Sequence, residues 1–240
     1  MLPDEVPVKG ASAFAVILRA RLPGSSNGSY SLINLASLAS LGQSGLRLED
    51  LEILLVHNYA KDVVDKDGHP VMDERNPTVQ VVKPEGFGLP GGAVNNGETI
   101  RQALIAEVFE ETGLFIEVNN LIVRDDTSRK DHVNYALIVD RCFDEVSRAE
   151  IMTLAGLERY QNPSGLAFIA GKLRAARYVE NPVEGCTMIH SDDPDWGVEK
   201  PLWIPLLNVF KKGFRISGLF IYGGHIRRSR LILREANVTV

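Results

Sequence analysis

One stretch constrains this chain more than any other: FGLPGGAVNNGETIRQALIAEVFEETGL, from Phe87 to Leu114. It opens with a Pro-Gly-Gly turn and closes with three glutamates inside five positions, Glu107, Glu110 and Glu111. Apolar residues recur at every fourth position between them, at Ile100, Leu104 and Val108. This spacing predicts an amphipathic helix over 98–112 whose apolar stripe faces a core.

The three glutamates would share one face of that helix. Each residue turns a helix by about 100°, so the three side chains lie within an arc of roughly 100°. Like charges one turn apart are destabilising, and Arg101, the only cation from 98 to 114, would sit about 13 Å from Glu110 along the axis. An ordinary solvated acidic face is one interpretation. The other is a bound divalent cation, Mg²⁺ or Mn²⁺, because carboxylate oxygens suit these ions.

The glycines of the turn point to the same place. Gly91 and Gly92 present backbone without a side chain, which allows another group to approach closely. Such a turn beside an acidic helix could lend a backbone carbonyl to the same metal. The turn alone is a weak signal, and together with the clustered glutamates it is a strong one.

The stretch resembles the Nudix box, G-x5-E-x7-R-E-U-x-E-E-x-G-U, in which U is an aliphatic residue. Gly92 opens the pattern, Glu98 follows at the required spacing, and the run from Glu107 to Leu114 closes it. Eight of the nine signature positions match, and Ala106 stands where the family has arginine. The box covers about a tenth of the chain.

The resemblance implies an α/β (α+β) fold, an αβα sandwich around a mixed β-sheet. It also implies cleavage of the diphosphate in a nucleoside diphosphate linked to a further group X, as in ADP-ribose, with Mg²⁺ or alternatively Mn²⁺ as cofactor. Carried over by position, Glu107, Glu110 and Glu111 would be metal ligands and catalytic residues, joined by the Gly91 carbonyl. Glu98 would support them from the start of the helix. The general base would be a box glutamate or a carboxylate of a later loop, where the candidates are Glu184, Asp192, Asp193 and Asp195.

Ala106 is the one departure from the box. The family's arginine holds a box glutamate in place, and losing an outer-shell partner of this kind reduces activity or metal affinity by roughly 10–100-fold. Arg124 or Arg129 could supply the charge from elsewhere, whereas Arg101 is placed to pair with Glu98. Because all metal ligands are retained, a hydrolase is the favoured interpretation. The alternative is a non-catalytic Nudix-like module that binds a nucleotide as a sensor or scaffold.

Patterning predicts the remaining elements. Strands are expected at 12–20, 51–56, 78–83, 114–123, 132–139 and 201–206. The polar segment 124–131 is expected to join two of them, and the last stretch is ambiguous between helix and hairpin. The charged segment 61–76 is expected to be a loop or a hairpin, with Asp67-Gly68 as its turn. A calcium loop fits it less well, since Val63 occupies the first ligand position. Asp65, Asp67, Gly68 and Glu74 lie at compatible offsets of that loop, Gly68 at its turn glycine.

The composition is that of a globular protein, with 240 residues, 45% hydrophobic and 24% charged. We expect a single domain over 1–240, with insertions at about 23–49 and 144–178 and a basic C-terminal extension at about 213–240. The first insertion would hold a short helix near 31–41, and the second would be helical over 145–158 and 165–178. No signal peptide or membrane span is evident, and the two cysteines form no disulfide framework. These features predict a cytoplasmic protein with no membrane partner.

Charge is unevenly distributed along the chain. The stretch from Pro201 to Val240 contains seven Lys or Arg and one acidic residue, Glu235, so its net charge is +6. Because the net charge of the whole chain is −5, the other 200 residues carry −11. A solvated face over the acidic body is the favoured interpretation, and a site for a polyanion is the alternative. RNA ranks last among candidate partners, because aromatic residues that stack on bases are sparse in this stretch. The insertions leave a homodimer open.

The substrate itself is not specified by the box. Specificity should lie in the 61–76 hairpin, the 124–131 segment and a loop at 181–200. Phe87, Tyr135 and Trp196 could stack on a nucleotide base, although each would serve equally well as a packing residue.

Overall fold

The computed structural model describes residues 10–21, 30–41, 45–64, 68–112, 114–129, 132–143, 176–180, 187–191 and 198–238. Its strands are β1 (Ala11–Val16), β2 (Leu18–Arg21), β3 (Tyr30–Leu32), β4 (Leu51–Asn58), β5 (Lys61–Asp62), β6 (Met72–Asp73), β7 (Asn76–Gln80), β8 (Val82–Lys83), β9 (Gly86–Gly88), β10 (Gly91–Ala93), β11 (Phe115–Arg129), β12 (His132–Phe143), β13 (Ala176–Glu180), β14 (Thr187–Ser191), β15 (Val198–Pro205), β16 (Arg215–Ile216) and β17 (Leu219–Phe220). Its helices are α1 (Leu35–Ala39), α2 (Ile100–Thr112), α3 (Leu206–Val209) and α4 (Gly223–Glu235), with a 3₁₀ turn at Leu48–Asp50.

Two sheets meet at Ile17. The first, ordered β10-β1-β12-β11, is mixed, since β1 runs parallel to β12 and antiparallel to β10. The second, ordered β15-β4-β2-β3 with β9 also beside β4, has antiparallel pairs. Ile17 lies between β1 and β2, and its carbonyl accepts a 3.0 Å hydrogen bond from the backbone N–H of Leu54 in β4. The chain therefore passes from one sheet to the other at this residue.

Side chains of the first sheet alternate between two buried cores. On β1, Ala13 packs in a cluster with Leu104 of α2, whereas Phe14 packs in a second cluster with Leu233 of α4. The central strand β12 alternates in the same way. Successive strand residues point to opposite faces, so this sheet lies between α2 and α4. The predicted αβα sandwich around a mixed sheet is confirmed.

Most predicted elements are present with shifted ends. The helix expected over 98–112 is α2, and the short helix expected near 31–41 is α1. The strand expected over 12–20 is divided at Ile17 into β1 and β2, because the chain changes sheet there. The last stretch, ambiguous in the sequence, contains both elements: the hairpin β16–β17 and then α4.

The segment from Lys61 to Lys83 forms nested hairpins. β5 pairs with β8, and β6 pairs with β7 around a turn at 74–75. The turn expected at Asp67-Gly68 stays a prediction, with Val64 and Pro70 paired on either side of it. The strand expected at 78–83 is interrupted at Val81, whose N–H donates to the Val71 carbonyl and whose carbonyl accepts from Val63. The inner turn is closed by Asp73, whose carboxylate accepts from the N–H of Arg75. Asp65 and Asp67 lie outside the described residues.

Two expectations are corrected. The polar segment 124–131 is not simply a loop, because β11 continues to Arg129 and β12 begins at His132. Its polarity has a structural cause, since Asp125 is buried in an ion pair with Arg227. Of the helical insertion expected over 144–178, residues 144–175 lie outside the described residues. The last three belong to strand β13, which pairs with β14, so the helix expected over 165–178 is wrong there.

None of the helices in the described ranges combines the length and apolarity that crossing a bilayer requires.

Candidate active site

Helix α2 begins where the sequence supplies a cap. The Thr99 hydroxyl accepts from the N–H of Gln102 at 3.2 Å, and the Gln102 side chain accepts from the N–H of Thr99 at 2.9 Å. This reciprocal capping box satisfies backbone donors that a helix start leaves open. Glu98 therefore precedes the helix rather than lying in its first turn. Its side chain is buried, at 5% exposure, and accepts from the N–H of Asn95 at 3.1 Å.

The Pro-Gly-Gly turn lies directly on β1. The Pro90 carbonyl accepts a 2.8 Å hydrogen bond from the N–H of Ala15. Gly91 has φ +135, a backbone conformation that side chains disfavour, and an added Cβ there would collide with the Ala13 carbonyl. Glycine at this position is therefore required by the close approach of two backbones.

Gly92 is required for a different reason. A Cβ added there would collide with the carboxylate of Glu107, which packs against the bare Gly92 backbone. Both glycines of the turn thus admit close neighbours, and at Gly92 that neighbour is a box glutamate.

Glu111 contacts the adjacent residue of the turn. Its Oε2 accepts a 2.8 Å hydrogen bond from the N–H of Gly91. Glu107 and Glu111 are one helical turn apart, so the two carboxylates lie side by side against two consecutive turn residues. A carboxylate accepting a backbone N–H is held in one orientation more firmly than a free side chain.

Lys83 brings a positive charge to the side of Glu111. Burial lowers the pKa of Lys83, the charge of nearby Lys61 lowers it further, and the charge of Glu111 opposes the shift. Its ammonium group donates to the Asn58 side chain at 3.3 Å and lies 4.7 Å from the centre of the Tyr222 ring. The sequence did not predict Lys83 as a site residue. It predicted only that Lys83 ends the strand expected at 78–83.

Of the predicted site residues, Gly91, Glu107 and Glu111 come together, and Glu98 lies before the same helix. Glu110 is on α2, but its side chain lies outside the part of the chain that the structure describes. Within that part no three His, Cys, Asp or Glu side chains gather closely enough to hold an ion. The metal-ligand set therefore stays a prediction, with two of its carboxylates side by side.

Ala106 is fully buried, at 0% exposure. Arg101 donates to the Val118 carbonyl of β11 at 2.6 Å, which fastens the start of α2 to the sheet. Arg124 is exposed on β11, and the side chain of Arg129 lies outside the described set. The place of the family's arginine is thus occupied by a small core residue.

Helix α4 packs behind the turn and was not assigned to the site from the sequence. The N–H of Leu89 donates to Nδ1 of His225 at 2.9 Å, so the ring nitrogen that faces the turn is unprotonated. Burial, aided by the charges of Arg228 and Lys83, lowers the pKa of His225 to about 3. The Tyr222 hydroxyl donates to the Pro84 carbonyl at 2.8 Å. The run YGGHIRR was the available signal, since it combines two glycines, a histidine and two cations.

Arg228 and Arg227 anchor α4 to β11. Arg227 donates to Asp125 at 2.7 Å, and Arg228 lies 3.4 Å from the same carboxylate oxygen. The Arg228 guanidinium also lies over the Phe14 ring, 4.4 Å from its centre, and burial lowers its pKa to about 10. These two arginines therefore pair with a buried carboxylate of the sheet.

The predicted base-stacking residues have different outcomes. Phe87 is buried, at 4% exposure, and its ring lies 5.0 Å from that of His57, so it is a packing residue. Tyr135 is partly buried against the core under α2. Trp196 and the four loop carboxylates, Glu184, Asp192, Asp193 and Asp195, lie outside the described residues.

The comparison with family models concerns the segment around this turn and helix. Residues 63–163, which are less than half of the chain, match the model of the NUDIX domain. The matched residues contain the whole Nudix box from Gly92 to Leu114, including the two carboxylates that contact the turn.

One curated relative and several solved structures are similar to the chain. An ADP-ribose pyrophosphatase of Methanocaldococcus jannaschii is 34% identical over 83 residues, which span 30% of this chain and 49% of that protein. The match thus covers about half the length of that relative.

The solved structures are similar over nearly the whole chain at low identity. A MutT NUDIX hydrolase from Burkholderia pseudomallei has a TM-score of 0.36 at 14% identity, covering 93% of this chain and 95% of its own. A MutT protein from Methanosarcina mazei has a TM-score of 0.38 at 11% identity, covering 95% and 91%. The NUDIX domain of Shewanella oneidensis NrtR, solved with ADP ribose, has a TM-score of 0.37 at 13% identity, covering 97% and 94%. The sandwich assignment rests on the two cores of this chain itself.

Proposed function

We propose that this protein is a divalent-metal-dependent hydrolase that cleaves the diphosphate of a nucleoside diphosphate linked to a further group, with ADP-ribose-like compounds as the first substrate class to test. The observation that carries the proposal is the pair of box carboxylates, Glu107 and Glu111, packed against Gly92 and Gly91. The similarity to an ADP-ribose pyrophosphatase of Methanocaldococcus jannaschii supports the choice of substrate class.

The residues of the site fit a hard divalent cation. Glu107, Glu110 and Glu111, with the Gly91 carbonyl, would hold Mg²⁺ or Mn²⁺, which favour oxygen donors and keep several waters. Such an ion, when bound, neutralises diphosphate charge and makes a bound water a better nucleophile. The donors are oxygens, which suit such an ion, and two of the carboxylates lie side by side against the turn.

The chain's own groups would then position the reactants. The Gly91 N–H fixes the Glu111 carboxylate, and the Lys83 ammonium supplies positive charge on the side of Glu111. A water oxygen would bond to one phosphorus, and the bridging P–O bond would break to release a nucleoside monophosphate and a phosphorylated X. The proton of that water would pass to a box glutamate or to one of the loop carboxylates, Glu184, Asp192, Asp193 and Asp195.

A second candidate function is a nucleotide-binding module without turnover. The specific observation in its favour is Ala106, a fully buried alanine in the place of the family's arginine. A module of this kind would bind a nucleotide diphosphate at the same turn and release no product.

Phosphate release after coupled phosphatase treatment separates the two candidates. The panel contains ADP-ribose, dinucleoside polyphosphates, nucleotide sugars and nucleoside triphosphates, each with Mg²⁺, with Mn²⁺ and with EDTA. Metal-dependent turnover of at least one class is expected. Nucleotide binding without turnover under every condition would reject the hydrolase and favour the binding module.

A further inference from the structure

The basic C-terminal stretch contains a cavity that the Nudix box does not explain. It lies between α3, the hairpin β16–β17 and α4, has a volume of about 470 Å³, and is here called the basic groove. Three phenylalanines and four cations line it, with aliphatic residues between them: Phe210, Phe214, Phe220, Lys211, Lys212, Arg215 and Arg230. No aspartate or glutamate belongs to the described lining.

The four cations have no carboxylate partner among the described residues. Lys211 donates to the Asn208 side chain at 2.6 Å, Arg215 donates to the Gly218 carbonyl, and Arg230 donates to the Phe210 carbonyl. These partners are uncharged oxygens, so they orient the side chains without neutralising them. Lys212 is exposed at the rim of the groove. Arg227 and Arg228, by contrast, are paired with Asp125 on the sheet side of α4.

The aromatic residues give the groove a second character. The Arg230 guanidinium lies 5.0 Å from the centre of the Phe210 ring, so a cation and a ring already share one wall. Val209 and Ile221 are buried at its base. A largely apolar cavity with a few convergent charges, of about 300–1,000 Å³, is typical of small-molecule sites.

We infer that the basic groove binds a small phosphorylated compound with a planar aromatic group, of which a nucleoside monophosphate is the simplest example. The phosphate would lie against Lys211, Lys212 and Arg215, and the ring system against Phe214 and Phe220. A bound phosphate would relieve the repulsion among cations that no carboxylate balances. The size of the cavity suits a single nucleotide, which distinguishes this ligand from an extended nucleic acid.

This site is separate from the Nudix box, so it can be tested independently of the proposed hydrolase. The probe is AMP, titrated calorimetrically into the full chain in EDTA, a condition that suppresses metal-dependent binding at the box. Adenosine and inorganic phosphate are titrated separately as the two halves of the probe. We expect AMP to bind at least 10-fold more tightly than either half, with affinity that falls as salt is raised.

Two variants in the basic groove, one matched control on α4 and one variant in the Nudix box test where AMP binds. Lys212→Glu reverses an exposed charge and Phe214→Leu removes a ring, and each should weaken AMP binding by about 10-fold, close to 1.4 kcal/mol. Arg234→Glu makes the same charge change on α4 outside the groove and should alter affinity less than about 2-fold. Glu111→Gln, in the box, should leave AMP binding in EDTA unchanged.

Three results would overturn the inference: no AMP binding in EDTA, equal loss in Lys212→Glu and Arg234→Glu, or loss in Glu111→Gln. Binding of a single-stranded oligonucleotide without binding of AMP would also overturn it and would assign the charge to nucleic acid. Circular dichroism of each variant checks that the fold is retained.

Discussion

The backbone N–H of Gly91 donates a 2.8 Å hydrogen bond to the carboxylate of Glu111, which lies 20 residues further along the chain. This bond joins the Pro-Gly-Gly turn to the last part of α2. Beside it, the Glu107 carboxylate packs against Gly92 so closely that a Cβ at Gly92 would displace it. The two ends of the Nudix box are therefore in direct contact, and a substitution in the turn should change the positions of the Glu107 and Glu111 carboxylates.

Gly92→Ala should impair activity far more than stability. The new Cβ would meet the end of a flexible side chain, Glu107, which can swing away at little cost to the fold. The displaced carboxylate would no longer occupy its place, so we expect kcat/KM for the best substrate to fall by at least the roughly 10–100-fold seen when metal-site geometry is disturbed. Gly223→Ala, where a Cβ meets nothing within 4 Å, is the control. Equal activity in the two variants would contradict the packing of Glu107 on Gly92.

Gly91→Ala should instead lower the free energy of unfolding. Its φ of +135 is a conformation in which a side chain is strained, and the Cβ would collide with the backbone carbonyl of Ala13, which cannot move aside. Strain of this kind costs about 1–3 kcal/mol, before the collision is counted. Urea denaturation with a wild-type m-value would measure it. A variant as stable as wild type would mean that the turn approaches β1 less closely than described here.

Ala106→Arg should destabilise the protein rather than restore the box. Ala106 is completely buried, and overpacking a core costs about 1–3 kcal/mol, to which burial of an unpaired charge adds. We expect a lower Tm with no gain in kcat. Ala106→Ser serves as the control for a polar change of small volume. If Ala106→Arg folds normally and gains about 10-fold or more in kcat, the structure has room at this position for the family's arginine.

His225 should make stability depend on pH in the weakly acidic range. Its pKa is lowered to about 3 in the folded protein, against about 6.5 in an unfolded chain. Between these values the unfolded state binds the proton and the folded state does not, so stability falls as pH drops from about 6.5 towards 3. His225→Asn keeps an acceptor near the position of Nδ1 for the Leu89 N–H and removes the titration. Denaturation at pH 7 and pH 5 should show a smaller loss for this variant than for wild type, and identical losses would exclude His225 as the cause.

The sequence predicted the features that depend on local pattern. Ile100, Leu104 and Val108 indicated the buried stripe of α2, and the spacing from Gly92 to Leu114 indicated the box. The capping box at Thr99 was also present in the sequence, although the helix was expected to begin at Glu98. Local hydrogen bonds and periodicity are encoded by neighbouring residues, and for that reason such features can be inferred from one sequence.

Features that depend on distant segments could not be predicted in the same way. Lys83 and His225 reach the turn from β8 and α4, and no spacing in the sequence relates them to Gly91. The burial of Asp125 cannot be predicted from its polar neighbours, because its partners, Arg227 and Arg228, lie about 100 residues away. An ion pair of this kind buries a charged strand residue in a segment whose composition is typical of a loop.

Turnover of ADP-ribose by wild type and by Glu111→Gln, with Mg²⁺ and with EDTA, tests the central claim most directly. Glutamine retains an oxygen that can accept from the Gly91 N–H, so the fold should be preserved while the charge is lost. The matched control is Glu235→Gln, which removes a carboxylate from the exposed end of α4. The account predicts metal-dependent turnover in wild type and in Glu235→Gln and its loss, by about 10–100-fold or more, in Glu111→Gln. Turnover unchanged in Glu111→Gln would contradict the assignment of the box carboxylates to catalysis.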